Sequence, residues 1–360
     1  MRRKNECFRK KTYAVFLILL LMMFTAACSG SKTSAEKKES ETEKSSDIAQ
    51  VKIKDVSYTL PSKYDKSTSD DQLVLKVNVA VKNTGKDPLN VDSMDFTLYQ
   101  GDTKMSDTDP EDYSEKLQGS TINADKSVEG NLFFVVDKGK QYELNYTPES
   151  YGDKKPKSVT FKIDGKDKKI LATADKLQDS AKALSAYVDV LLFGKDNADF
   201  EKITGANKNE IVNDFNESAK DGYLSASGLS STYADSKALD NIVNGIKEGL
   251  SKNSSIQAKT TSISKDEAIV EATVKPVDAS SLSERIEDKV KDYYSKNSSA
   301  SYEEAVKYAL QVYPEEFKKL GPASSEKTVE VKMKKNDIDQ WQLDMDDYRA
   351  AELVEAFIKE

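Results

Sequence analysis

The stretch that decides the fold is LVLKVNVAVKNTG, residues 73–85, which alternates apolar and polar positions and then breaks. Every odd-numbered position from 73 to 81 is Leu or Val, whereas Lys76 and Asn78 lie between them. Because successive side chains of a strand point to opposite faces, a period of two indicates a half-buried β-strand. Asn83, Thr84 and Gly85 then form a turn signal that ends the strand.

The same period of two recurs on both sides of this strand, with turn residues between the segments. About seven short strands at this spacing are typical of an antiparallel sandwich. We therefore predict an all-β sandwich over residues 49–165. Its further strands are predicted at residues 51–60, 94–99, 127–136, 141–146 and 158–163.

Four segments of this region resemble an immunoglobulin-like domain that is common in Gram-positive lipoproteins and occurs in a mycobacterial secreted antigen. They are VAVKNTGK (79–86), DFTL (95–98), EGNLFFV (129–135) and YELNY (142–146). The resemblance implies an immunoglobulin-like fold and an extracellular setting, with no agreed activity. It also implies structural roles: a turn at Gly85, and core positions at Phe96 and at Phe133 or Phe134.

After residue 169 the apolar period becomes helical, and we predict an α+β domain over residues 170–360. Its first helix carries one apolar face and ends at Gly194. That face consists of Leu177, Ala181, Leu184, Val188 and Leu191. Later segments are predicted as helices at 209–220 and 236–250, a hairpin at 256–263 and 268–274, a second hairpin from Val329 to Leu343, and a last helix bearing Leu353 and Phe357.

Two further helices are predicted to begin at capping boxes, Ser281 with Glu284 and Ser301 with Glu304. The closing hairpin with Trp341 resembles the sheet of cystatin-like or nuclear-transport-factor-like domains in other envelope lipoproteins. The residues VLLFG (190–194), with Phe200 and ITG (203–205), resemble the start of a poorly characterised C-terminal domain of those lipoproteins. These resemblances imply a fold and no functional residue.

Residues 1–27 have the pattern of a signal peptide: a basic start and then an apolar run at residues 14–24. This run is too short for a spanning helix, which needs roughly 20 residues. Thr25, Ala26 and Ala27 then precede Cys28 and resemble the lipobox of bacterial lipoproteins, although Leu is commonest where Thr25 stands. The alternative is a plain secretory signal with an incidental cysteine.

The lipobox resemblance implies cleavage after Ala27 and a diacylglyceryl thioether on Cys28, whose freed amine is open to further acylation with a fatty acid such as palmitate. Two or more acyl chains give stable anchoring, whereas one chain binds only marginally. We therefore expect a protein that is held by lipid on the extracytoplasmic face of the cell membrane. No other cofactor is expected.

The segment after the cysteine is strongly polar. Residues 29–47 contain no aromatic or large aliphatic side chain, which predicts a disordered tether over residues 28–48. Removing a leader with six basic residues and one acidic residue changes the formal net charge from −8 to −13. An acidic ectodomain disfavours binding to nucleic acid and disfavours a polybasic attachment to anionic lipids.

The composition excludes several kinds of catalytic and metal site. The chain has no histidine, and its two cysteines are Cys7 in the leader and Cys28. These absences exclude Ser-His-Asp and Cys-His catalysis and histidine-bound or thiolate zinc in the ectodomain. Three Ser-x-x-Lys matches lack the companion motifs of penicillin-binding enzymes. We therefore predict no catalytic residue.

Calcium is the one metal that the sequence favours at all. Asp107, Asp109 and Glu111 bring hard oxygen ligands close together, but Pro110 and a missing glycine depart from the EF-hand pattern. The preferred interpretation is a solvated acidic loop.

We accordingly predict a non-enzymatic binding or interaction module of the cell envelope, whose partner is an envelope protein or another envelope component. The alternative is a small-molecule binder or enzyme that uses a cavity in the C-terminal domain. Five tyrosines are candidates to line such a cavity: Tyr293, Tyr294, Tyr302, Tyr308 and Tyr313. Trp341 is interpreted as a core residue rather than a sugar-stacking one.

Overall fold

The computed structural model describes residues 42–62, 72–149, 157–230 and 232–360. Its N-terminal part is a β-sandwich. The strands of this part are β1 (Glu43–Ser45), β2 (Ala49–Thr59), β3 (Gln72–Asn83), β4 (Leu89–Val91), β5 (Phe96–Gln100), β6 (Thr103–Lys104), β7 (Ser120–Ile122), β8 (Ser127–Asp137), β9 (Gln141–Tyr146) and β10 (Val159–Asp164). One sheet has the order β1-β2-β3-β8, the other β10-β9-β5-β6, and β4 pairs with β7.

The alternating strand of the sequence, β3, lies in the middle of its sheet between β2 and β8, antiparallel to both. Leu75, Val77 and Val79 are fully buried in the sandwich core, as their period of two predicts. The turn after β3 is held by the Asn83 side chain, whose Oδ1 accepts a hydrogen bond of 2.8 Å from the amide of Gly85. The predicted sandwich fold is confirmed.

The implied core aromatics separate into two environments. Phe96 and Phe134 belong to the sandwich core. Phe133 is also buried, but it points to the opposite face of its strand, where the Lys76 ammonium lies 5.6 Å from its ring centre. Of the two alternatives at this position, Phe134 is therefore the residue of the sandwich core.

The prediction of disorder through residue 48 was wrong at its C-terminal end. Residues 43–45 pair with β2, with Glu43 opposite Lys52 and Ser45 opposite Gln50. Backbone hydrogen bonds and the edge of an existing sheet provide this order, so no large apolar side chain is required. The remainder of the tether and the whole leader, residues 1–41, lie outside the described residues.

The C-terminal part mixes helices with a four-stranded antiparallel sheet of order β11-β12-β14-β15, which confirms the α+β prediction. Its helices are α1 (Lys168–Asp175), α2 (Asp179–Leu191), α3 (Phe200–Thr204), α4 (Lys208–Ser227), α5 (Ser236–Asn253), α6 (Leu282–Lys296), α7 (Tyr302–Phe317) and α8 (Tyr348–Glu355). Its strands are β11 (Ser255–Ile263), β12 (Glu267–Lys275), β13 (Val277–Asp278), β14 (Lys327–Lys335), β15 (Trp341–Leu343) and β16 (Ile358–Lys359).

Only one of the two capping boxes forms. Ser301 and Glu304 bond reciprocally to each other's amides at the start of α7. Ser281 instead has φ −98° and ψ 1°, and its side chain makes no capping bond, so the prediction of a box there was wrong. The start of α6 is organised upstream, where Asp278 accepts a hydrogen bond from the amide of Ser280.

Phe357 was predicted on the last helix but lies beyond it, because α8 ends at Glu355. The chain turns after α8 to place β16 parallel to β13, and the amide of Val277 donates to the carbonyl of Phe357 at 3.0 Å. The fully buried Phe357 ring belongs to the core together with Leu353.

Lys247 on α5 is a buried lysine. Its residue is 8% exposed, its Nζ donates to Asn216 Oδ1 at 2.6 Å, and in the described part of the chain it makes no ion pair. Burial lowers the pKa of Lys247 below its usual 10.5. A lysine whose pKa is lower in the folded state destabilises the fold while it is charged, and stability returns as pH rises toward the unfolded pKa.

Replacing Lys247 by methionine should therefore raise the free energy of unfolding at neutral pH, and this gain should shrink as pH approaches 10.5. Chemical denaturation of both proteins across that pH range measures the difference. Lys252→Met, at an exposed position of the same helix, is the matched control and should show a difference that does not change with pH. A pH-independent gain for Lys247→Met would contradict the assignment.

Candidate functional site

The sandwich and the α+β part are joined by α1, a helix that the sequence analysis did not predict. It packs on β2, and the amide of Tyr58 donates to Thr173 Oγ1 at 2.8 Å. Ile170 on α1 and Leu177 just beyond it belong to the sandwich core. Helix α1, which follows the last strand of the sandwich, therefore packs as part of the sandwich.

The next segment ties α2 to the edge of the other sheet. Gln178 Oε1 accepts from the amide of Thr260 on β11 at 2.9 Å, and the hydroxyls of Ser180 and Thr260 are 2.7 Å apart in a buried position. Ile263, at the end of β11, packs against both hydrophobic cores. Both parts belong to one compact unit of the chain.

A cleft of about 600 Å³ lies where these parts meet. The end of β2, β3, β8 and the loop around Glu111 line its sandwich side, and α2, α3, the β11–β12 turn and the β14–β15 loop line its other side. Six lysines face it: Lys76, Lys176, Lys182, Lys202, Lys265 and Lys335. Four carboxylates face it: Glu111, Glu115, Asp179 and Asp339.

Three of the lysines are neutralised by neighbours. Lys76 pairs with Glu115 across the sandwich surface. Lys182 pairs with Asp179 at 2.7 Å, and Lys335 pairs with Asp339 at 2.7 Å. The hydrogen bond from Lys335 lowers the pKa of Asp339, and the charge of Lys176 contributes to this effect.

The other three lysines carry the surplus charge. Lys176 and Lys202 make no ion pair within the described residues, and Lys265 has only Asp266 at 4.0 Å, with both side chains largely exposed. Among the described residues that line the cleft, six lysines against four carboxylates leave a surplus of two positive charges, although the whole chain carries −8. The cleft is thus a positive region of an acidic protein.

The walls between these charges include two aromatic rings. Trp341 is 6% exposed and belongs to the core, as predicted. It also lines the cleft, and Lys335 Nζ lies 5.1 Å from its ring centre. Phe133 lines the opposite side beneath Lys76. Two of the six lysines, Lys76 and Lys335, therefore lie beside aromatic rings, whereas the other four are exposed.

The structure does not gather the carboxylates of the weak calcium candidate. Asp109 and Asp107 point to Lys116, whose Nζ is 2.5 Å and 4.0 Å from their oxygens, and Glu111 accepts from Ser62 at 3.0 Å. Across the described ranges, no group of three or more acidic, histidine or cysteine residues is arranged to hold a metal ion. A lysine in the middle of the set opposes a cation there.

The five tyrosines proposed to line a C-terminal cavity pack against other rings. Tyr293 stacks on Tyr308 at 4.5 Å between α6 and α7, and it also contacts Tyr294. Tyr302 contacts Tyr233, and Tyr313 contacts Tyr223. None of the five lines the cleft. The prediction of a tyrosine-lined cavity was therefore wrong, because the rings satisfy one another across helix contacts.

A smaller apolar pocket of about 190 Å³ lies among α2, α4 and α8. No carboxylate lines it, and the hydroxyl of Tyr187, its one polar lining group, bonds to the backbone of Leu343 and to Thr204. This pocket offers packing surface and no reactive group.

The sequence analysis did not predict the lysine-lined cleft, because its lysines are spread from residue 76 to residue 335 without a common motif.

None of the described helices is long and apolar enough to span a bilayer. Cys28 and the lipobox residues Thr25, Ala26 and Ala27 lie outside the described residues. Lipid modification of Cys28 therefore stays a prediction from sequence.

Comparison with known proteins gives matches to both parts of the chain. Residues 40–157 match the model of a domain of unknown function (DUF4352), and residues 170–358 match that of another (DUF5105). Among solved structures, the yjhA protein of Bacillus subtilis is similar at 21% identity, covering 34% of this chain and 96% of that one with a TM-score of 0.30. An uncharacterized beta-sandwich protein of Clostridium difficile 630 is similar at 19% identity, covering 37% and 99% with a TM-score of 0.22.

A curated relative matches almost the whole chain. The "Uncharacterized lipoprotein YcdA" of Bacillus subtilis (strain 168) is 99% identical over 353 residues, which are 98% of this chain and 100% of that protein. The predicted resemblance to a Gram-positive lipoprotein with a second, C-terminal domain is confirmed. The chain therefore belongs to the family of lipoproteins that carry the DUF5105 domain.

Proposed function

We propose that this lipoprotein is a non-enzymatic binding protein of the cell envelope and that the lysine-lined cleft between its two parts is the binding site. In this proposal, lipid on Cys28 holds the chain on the extracytoplasmic face of the membrane. The tether before β1 then allows the folded parts to stand away from the bilayer. The observation that carries the proposal is the convergence of six lysines from distant parts of the chain on one cleft.

The size and construction of the cleft support a binding role. A volume of about 600 Å³ lies within the range of small-molecule sites, roughly 300–1,000 Å³. The Thr173 contact holds α1 against the sandwich side and the Thr260 contact holds α2 within the other side, so each side is ordered by the fold itself. A site that is formed in advance loses less conformational entropy on binding.

The chemistry of the chain favours binding over catalysis. Histidine is absent, and the four carboxylates of the cleft include three that are paired with lysines. General acid–base catalysis needs a titratable group whose pKa lies near the working pH. Pairing with lysine favours the charged carboxylate, as it does at Asp339, whose pKa is lowered.

Site-specific photocrosslinking in intact cells tests the proposal. A benzophenone amino acid at Lys265, whose side chain is 85% exposed at the cleft, should give a crosslinked adduct on irradiation. The matched control is the same amino acid at Lys291 on α6, which is 71% exposed and lies outside the cleft. We expect adducts from position 265 and none of the same mass from position 291.

Two results would count against the cleft as the binding site. One is an identical set of adducts from positions 265 and 291. The other is the absence of adducts from position 265 and also from Lys182 and Lys202, which face the cleft from two other elements. Membrane fractionation of each variant confirms that the modified chains still reach the envelope.

A further inference from the structure

We propose that the cleft binds a phosphate-bearing ligand with several negative charges. This inference names the ligand class and so rests on the proposed binding function of the cleft. The shared chemistry is a phosphate group, whether it belongs to a soluble phosphate chain or to the headgroup of an anionic lipid.

The surplus charge lies on three lysines that make no close ion pair within the described residues. Lys176 follows α1, Lys202 lies on α3 and Lys265 lies in the β11–β12 turn. Within the described residues, Lys176 and Lys202 pair with no carboxylate, and the 4.0 Å contact of Lys265 with Asp266 joins two exposed side chains. Exposed pairs of that kind contribute roughly 0–1 kcal/mol to stability. These lysines are therefore available to a ligand.

The type of cation is one that phosphate uses. Lysine binds phosphate as a point charge with three donors on a flexible stem, and arginine is favoured where phosphate or carboxylate is held by two parallel hydrogen bonds. Among the described residues, six lysines and no arginine line the cleft. Because the three lysines without a close ion pair come from the α1–α2 connection, α3 and the β11–β12 turn, a ligand with more than one negative charge can contact several of them. A ligand with separated charges fits this distribution.

The surroundings strengthen the attraction. Trp341 and Phe133 place apolar ring surface beside the ammonium groups of Lys335 and Lys76. Charge pairs near low-dielectric walls attract each other more strongly than they do in bulk water. Attraction at long range is nevertheless screened over about 8 Å at physiological ionic strength. Binding should therefore weaken as salt is added.

The single tryptophan of the chain is a built-in reporter, because Trp341 lines the cleft. Titration with inorganic tripolyphosphate should change the tryptophan fluorescence of the protein in a saturable way. The triple variant Lys176→Gln, Lys202→Gln, Lys265→Gln should bind about tenfold more weakly or worse, since three exposed charge contacts are lost. Calorimetric titration of the same samples measures the affinity independently of the ring.

The matched control removes three lysines elsewhere on the surface. Lys86, Lys104 and Lys126 are exposed on the sandwich, outside the cleft, and make no ion pair within the described residues. Their triple glutamine variant has the same net charge as the cleft variant and should bind tripolyphosphate like the unmodified chain. Equal losses in both variants would show a general charge effect and overturn the proposal. Thermal melts of both variants check that the fold persists.

A second arm separates the two sources of phosphate. The chain with Cys28→Ala, which lacks the predicted anchor, is mixed with vesicles of phosphatidylglycerol and with vesicles of phosphatidylcholine. If the chain floats with phosphatidylglycerol vesicles and not with phosphatidylcholine vesicles, and if the triple cleft variant no longer floats, the ligand is a lipid headgroup. Binding of tripolyphosphate without flotation would assign a soluble phosphate ligand.

If neither probe binds, or if the cleft variant binds both unchanged, the phosphate proposal is overturned. The photocrosslinking result remains separate from this outcome. Adducts from position 265 in cells, together with no phosphate binding in vitro, would leave a binding cleft whose ligand is of another class. The absence of adducts would remove the binding function itself.

Discussion

Replacing Cys28 by alanine should abolish lipid attachment, so that the protein is either released to the medium or accumulates with its leader uncut. The prediction rests on the position of Cys28 directly after Ala27 at the end of an apolar leader. Each buried methylene of an acyl chain contributes about 0.8 kcal/mol to membrane binding, so losing two or more chains removes the anchor. The described helices offer no substitute span. Detergent-phase partitioning and fractionation of cells and medium measure the change.

Cys7→Ala is the matched control, because Cys7 lies within the part that cleavage removes. That variant should keep the protein in the detergent phase, whereas Cys28→Ala should appear in the medium or accumulate with its leader uncut. Unchanged partitioning of Cys28→Ala would refute lipid attachment at this residue.

Replacing Gly245 by alanine should destabilise the fold by about 2 kcal/mol, even though alanine is the better helix former. A Cβ atom on Gly245 would lie 2.3 Å from Cβ and 2.9 Å from Cα of Pro314, where α5 and α7 cross. Such a contact displaces backbone, and overpacking typically costs 1–3 kcal/mol or more. The gain in helix propensity, about 1 kcal/mol, does not offset a backbone clash of this size. Urea denaturation measures the free energy of unfolding.

Gly222→Ala is the control for propensity alone. Gly222 lies on the exposed face of α4, where an added Cβ has no atom within 4 Å. This variant should gain up to about 1 kcal/mol. Equal stabilisation by both substitutions would show that α5 and α7 do not approach each other as closely as the structure indicates.

The two glycines illustrate what the sequence can and cannot predict. From composition alone, Gly245 and Gly249 look like weak points of a helix. In the fold they are the positions where α7 approaches α5, since a Cβ on Gly249 would lie 2.7 Å from Phe317. Periodicity predicts that a helix forms, but the reason for a small residue on it depends on the neighbouring helix.

The two capping-box motifs and helix α1 also separate what the sequence predicts from what the tertiary structure decides. Ser301 with Glu304 and Ser281 with Glu284 have identical spacing, yet only the first pair forms a capping box. The backbone at Ser281 is set by the preceding turn, which a four-residue pattern does not describe. Helix α1 escaped prediction because its Ile170 contributes to the core of the preceding sandwich rather than to a periodic face of its own domain.

The sequence by itself determined the alternating strands of the sandwich, the change to helical periodicity after residue 169, and the absence of histidine chemistry. These follow from local rules, because a strand or helix exposes its period within a few residues. Only the tertiary structure decided that Lys76, Lys176, Lys202, Lys265 and Lys335 face one cleft. Their convergence depends on how the fold brings segments of both parts to one cleft, and no local pattern records distances between residues so far apart in the chain.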